Sequence, residues 1–123
     1  MIQINFEKIK TQHEYERPYL AELWGFNGIQ GLSRGVVTPS TNTKIIIFFV
    51  TKEKQSSLTQ YQDYIKNNLL FWEGENGHRS DQKIISSKVT NTKIHLFYRD
   101  IHHTPFIYYG EIILKNYTQK YEK

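Results

Sequence analysis

With 123 residues, 38% of them hydrophobic and 23% charged, the chain fits one globular domain and excludes a disordered or low-complexity class. Sixteen Lys and Arg against twelve Asp and Glu leave a net charge of +4, which permits a polyanionic partner without requiring one. The lack of cysteine excludes a disulfide framework, a thiolate zinc site and a cysteine nucleophile, and a reducing, cytoplasmic setting is expected. No run approaches the roughly 18 apolar residues of a membrane helix, and MIQINFEKIK lacks the apolar stretch of a signal peptide, so no membrane partner is expected.

In chain order, Ile2 to Phe6 alternates apolar and polar residues and reads as a half-exposed strand. YERPYLAELW places Tyr19, Leu20, Leu23 and Trp24 at helical spacing, with Pro18 in the first turn and Gly25 as a stop, which predicts a short helix packed on a sheet. GFNGIQGLSRG reads as a loop running into a strand. KIIIFFVT is apolar from Ile45 to Val50 and predicts a strand buried on both faces. LTQYQDYIKNNLL is either a helical turn or an irregular loop, LLFWEG a strand ending at Gly74, and ENGHRSDQK an exposed loop.

Two strands then close the chain. In KIHLFYR, Ile94, Leu96 and Tyr98 alternate with His95, Phe97 and Arg99, and PFIYYGEIIL spans Pro105 to Leu114, the two joined by DIHHT. About six strands and one or two short helices, without regular βαβ alternation, predict an α+β domain around a curved or closed sheet. The whole of 1–123 reads as one domain, with a frayed polar tail over 113–123. Trp24, Phe48, Phe49 and Phe97 read as core.

The enzyme signals are short. Asp81-Gln82-Lys83 has the acidic-x-Lys spacing of some metal-dependent nucleases, with Asp63, Glu73 and Glu75 upstream, but a solvated loop explains it better. His102 and His103 beside Asp100 read as a turn whose rings point in different directions. There is no phosphate loop of Walker spacing and no nucleophile elbow, so no catalytic residue, metal or cofactor is expected.

A more informative constellation is QYQDY followed by LLFWEGENGHRSD, which sets Tyr61 and Trp72 either side of Asp63. Two rings and a carboxylate are what an extruded base requires: aromatic faces return roughly 1–3 kcal/mol of stacking per base, and a carboxylate accepts from an exocyclic amine. On spacing alone the better reading is that both rings belong to the core.

The order GIQGLSRG, a buried apolar strand, QYQDY, LLFWEGENGHRSD, IHLFYR and PFIYYGE resembles the SRA-type modified-base-binding domains. The likeness is greatest to those fused to modification-dependent restriction endonucleases, and it covers about Tyr15 to Leu114. It implies a PUA-like curved β-barrel that holds 5-methylcytosine or a related base flipped out of double-stranded DNA. In this likeness Tyr61 and Trp72 sandwich the base, and Asp63 reads its Watson–Crick edge, although some relatives carry that Asp one residue later, where Tyr64 stands. Glu73 and Gly74 complete the base pocket. The Gly28–Gly31 loop approaches the duplex, with Gln30 as its probe.

Two positions depart from the family pattern, Glu73 after the ring and Glu75 in place of a second glycine. Gly28, Gln30, Gly31, Ser33 and Arg34 form one expected DNA-contacting loop, and Glu75, His78, Arg79, Asp81 and Lys83 the other. Arg34, His78, Arg79 and Lys83 are the expected phosphate ligands. Arg17 and Arg99 are expected to pair with a Glu or a backbone carbonyl instead.

The expectation is a non-enzymatic DNA reader serving a restriction or defence nuclease in cis or in trans. The alternatives are a PUA-like RNA-binding module, a small metal-dependent nuclease using Asp63, Glu75, Asp81 and Lys83, or a protein-interaction module. PUA-like domains at the ends of helicase-type proteins share the Tyr15-x-Arg17 start and the LFYR strand.

Overall fold

The structure, a computed structural model, describes residues 2–53, 64–71 and 81–113. These build a mixed α+β arrangement: β1 (Glu14–Tyr15), α1 (Arg17–Trp24), a 3-10 turn (Gln30–Leu32), β2 (Val36–Val37), β3 (Ile45–Glu53), β4 (Tyr64–Lys66), β5 (Leu69–Phe71), α2 (Asp81–Ile85), α3 (Ser87–Thr90), β6 (Lys93–Ile101) and β7 (Phe106–Ile112). Five strands form one sheet in the order β1-β7-β6-β3-β2, and β4 pairs with β5 separately. The described residues thus hold seven strands and three short α-helices, more than the six and two expected from sequence. Strands β1 and β2 end the sheet on opposite sides, and no closed barrel forms among the described residues.

The centre of the sheet is the parallel pair β3 and β6, in register from Ile45↔Lys93 to Glu53↔Ile101. Ile45, Ile47 and Phe49 point to one face, where Leu20, Ala21 and Trp24 of α1 and the N-terminal residues Ile4 and Ile9 cover them. Ile46, Phe48 and Val50 point to the other, with Ile84 of α2 and Ile65 and Leu70 of the β4–β5 hairpin packed there. The run of six apolar residues is therefore buried on both sides, as its composition predicts. The same double cover corrects the alternating reading of β6: residues 94–98 are all buried, His95 included.

Helix α1 forms where the spacing predicts it, with Pro18 in its first turn and Gly25 ending it at φ 83°, a left-handed stop that a Cβ would strain. Its buried face is Leu20, Ala21 and Trp24, while Tyr19, expected on that face, is 51% exposed. Burying Leu20 contributes roughly 1.5–3 kcal/mol. Residues 2–6 are not a strand, because their backbone is spent on the end of this helix. The Gln3 N–H donates to the Trp24 carbonyl at 2.8 Å, and the Trp24 indole Nε1 donates to the Asn5 carbonyl at 2.8 Å.

Residues 64–68, expected as a helical turn or an irregular loop, are instead the first strand and turn of a hairpin closed by Asn67 and Asn68 at φ 53° and 64°, and the strand expected from Leu69 is present over Leu69–Phe71. Two central residues at positive φ are what a type I′ turn needs, and Asn meets that need without glycine. Asp81 and Lys83, expected in an exposed loop, belong instead to α2.

Strand β7 carries a bulge: Leu96 pairs with Gly110 and Phe97 with Tyr108, leaving Tyr109 extra. Gly110 takes φ +95°, and an added Cβ would stand 3.2 Å from the Thr11 methyl. Gly110→Ala is expected to cost about 1–2 kcal/mol, read as a shifted urea midpoint with an unchanged slope.

Inside the first core, His95 stacks on Phe6 with ring centroids 3.7 Å apart and 3° between planes, and its Nδ1 shares a 2.7 Å hydrogen bond with the Tyr108 hydroxyl. Burial pushes this imidazole from its ordinary 6.5 down to about 4, the nearby Lys93 adding to the effect and Glu111 opposing it. The unfolded chain therefore takes up the proton near pH 6.5 and the folded chain only near 4. Stability from this group is complete above pH 6.5 and falls as pH drops through that window, by roughly 3 kcal/mol at most. Urea denaturation of wild type and His95→Gln between pH 7 and about 4 should show the wild-type slope flattened in the variant.

Candidate functional site

The base-pocket residues Tyr61, Asp63, Trp72, Glu73 and Gly74 lie outside the described residues, as do Glu75, His78 and Arg79. The other half of the expected DNA-facing surface is described. Phe26 and buried Leu32 anchor the segment from 26 to 34, and Gly28 to Gly31 stand exposed between them. Ile29 is 45% exposed although apolar, and a Cβ on Gly28 would meet nothing within 4 Å. Gly31 differs from its expected role as an open approach, since a Cβ there would lie 2.6 Å from the Phe26 ring. Its lack of a side chain serves the packing of the loop base. The Ser33 hydroxyl donates to the Gln30 carbonyl at 2.9 Å and closes the 3-10 turn, so Ser33 holds the loop's shape.

Arg34 and Lys83 lie on different elements. Arg34 precedes β2 beside Gly35, whose carbonyl accepts from the Phe49 N–H at 2.8 Å, toward the end of β3. Lys83 on α2 is half-buried, and burial together with the charge of Lys44, at the start of β3, lowers its pKa. Asp81 is the first residue of α2, and no group of three or more His, Asp or Glu able to hold a metal occurs among the described residues.

A cluster missed by the sequence reading gathers at the end of β3. The guanidinium of Arg17, the first residue of α1, lies 4.7 Å from the Phe49 ring centre and 5.0 Å from that of Phe106. The guanidinium of Arg99 on β6 lies 4.1 Å from the same Phe106 ring. Arg99 donates from Nε to the Thr51 hydroxyl at 2.8 Å and from Nη1 to the Thr104 carbonyl at 3.0 Å, so the carbonyl pairing expected for it is present. Neither the Glu nor the backbone carbonyl expected for Arg17 is found among the described residues, where its Nε is buried without a hydrogen bond.

Burial and the charge of Arg99 bring the Arg17 pKa down from 12.5 to about 10, leaving it charged at neutral pH. His102 completes the group. Its Nδ1 is buried without a partner, and burial with the charges of His103, Arg99 and Arg17 holds it below its ordinary value. The His102 and His103 rings meet edge to face at 3.9 Å rather than pointing apart. In sequence Arg17 lies in YER and Arg99 in LFYR, and nothing local joins the two positions.

Thr51→Val removes the acceptor that orients Arg99, and a double-mutant cycle with Arg99→Met should return a coupling of about 1 kcal/mol in thermal denaturation. Compared with protein-family models, with curated proteins and with solved structures, the chain finds no match.

Proposed function

We propose that the chain is a non-enzymatic reader of modified double-stranded DNA, built on a PUA-like scaffold, that extrudes one base and holds it between Tyr61 and Trp72. In this reading Asp63 accepts from the exocyclic amine of 5-methylcytosine or a related base, and a restriction or defence nuclease acts on the marked site. The order of sequence elements supports it, and so does the net charge of +4.

The observation that carries the reading is the loop from Gly28 to Gly31. An apolar side chain, Ile29, stands 45% exposed at its tip beside the exposed amide of Gln30, and Phe26 and Leu32 fix its base. A protein that opens a base stack inserts an apolar wedge between steps, and an adjacent amide is suited to testing a base edge.

Fluorescence polarisation on duplexes carrying cytosine, 5-methylcytosine, 5-hydroxymethylcytosine or N6-methyladenine tests this directly. One modified duplex should bind at least about tenfold tighter than the unmodified one, a gap of roughly 1.4 kcal/mol. Trp72→Ala should erase the gap, while Ile29→Ser should weaken every duplex and keep the preference. Equal affinity for all duplexes, or displacement of each by single-stranded RNA, would sink the DNA-reader assignment.

A further inference from the structure

Two guanidiniums and the start of α1 converge at the end of the sheet, and no described carboxylate makes an ion pair with Arg17. Arg17 and Arg99 both lie against the Phe106 ring, with guanidinium carbons 5.0 and 4.1 Å from its centre. The third contribution is the start of α1: its N-cap Glu16 makes no side-chain capping bond, and its first turn holds no acidic residue. That end of a helix carries partial positive charge, so Arg17 stands against the dipole rather than with it.

The two arginines differ in what they already do. Arg99 spends Nε and Nη1 on Thr51 and Thr104, which fixes its plane and leaves Nη2 for another acceptor. Arg17 makes no hydrogen bond or ion pair among the described residues, and its Nε is buried. A guanidinium kept only for packing would be replaced at lower desolvation cost by an apolar side chain, whereas a guanidinium whose Nε has no partner among the described residues, beside a second fixed guanidinium, forms an anion clamp.

We infer that Arg17 and Arg99 jointly hold one phosphate group above the Phe106 ring. Phosphate suits the pair because it presents several acceptor oxygens to two planar forks at once. No residue of the proposed base pocket takes part, so the site goes beyond the reader assignment and stands or falls separately. The phosphate comes from a nucleic-acid backbone or from a free phosphate compound, and the two sources give different results below.

The first experiment follows the arginine Nε–Hε signals of the 15N-labelled full chain during titration with inorganic phosphate, against chloride at matched ionic strength. The Arg17 and Arg99 signals should move along one saturating curve, while those of Arg34 and Arg79 should not follow it. If neither moves beyond the chloride control, or all four move alike, the site is refuted, including the case in which a carboxylate of the protein's own already fills it. This measurement uses wild-type protein and is indifferent to whether substitutions fold.

The second experiment measures the salt dependence of duplex binding for wild type and the Arg17→Gln, Arg99→Gln double variant, with circular dichroism as the folding control. For one backbone phosphate shared by both side chains, the log–log slope should fall by about 0.9. A fall of about 1.8 means two separate phosphates and overturns the joint site. An unchanged slope with intact phosphate titration assigns the site to a free phosphate compound. Modified-base selectivity without phosphate titration retires this site and leaves the reader, and the reverse retires the reader and leaves this site.

Discussion

Laying Ile45–Glu53 beside Lys93–Ile101 in parallel imposes most of what surrounds it. A parallel pair cannot be closed by a tight turn, so the chain must leave the sheet at 53 and return at 93. Both strands are apolar on both sides, so each face needs its own cover. Helix α1 and the N-terminal segment supply one, and α2 with the β4–β5 hairpin supplies the other. The antiparallel neighbours β2 and β7 then extend the sheet, and β1 adds an edge to β7.

The same pairing sets the position of the charged groups. Thr51 lies opposite Arg99 in register, and two strand residues before Thr51 stands Phe49, under Arg17. The hairpin from β6 to β7 brings the Thr104 carbonyl and the Phe106 ring to Arg99. Five elements or connections thus contribute to one cationic patch on an aromatic floor. The rings offset part of the desolvation of the guanidiniums through cation–π attraction, about 1–2 kcal/mol when water is excluded. They do not neutralise charge, which is why an anion is the natural complement.

Polar groups elsewhere in the core are matched. The indole of Trp24 reaches the Asn5 carbonyl, and His95 shares a hydrogen bond with Tyr108 under the stacked Phe6 ring. Among the described residues the exceptions, Arg17 Nε and His102 Nδ1, fall in the patch at the end of β3. Unpaired buried polar atoms cost free energy unless something offsets them, so their position in one patch carries more meaning than either atom alone.

Much of the local structure was legible in residue order. Pro18 and Gly25 bracket α1, the apolar run marks β3, and the aromatic alternation marks β6 and β7, because each of these depends on near neighbours. The Asn67-Asn68 turn is local as well, but the helical spacing of Leu58, Tyr61 and Ile65 competes with it in the sequence and leaves the segment open between a helical turn and a loop. What sequence order could not carry was the facing of strands. Both sides of β6 are buried because distant segments cover them, and residues 2–6 give up a strand because the end of α1 takes their hydrogen bonds. The meeting of Arg17 with Arg99 belongs to the same class, since only the sheet register and the docking of α1 bring together two side chains 82 positions apart. Local chemistry therefore determined the elements, and long-range pairing decided which faces are dry and where charge collects.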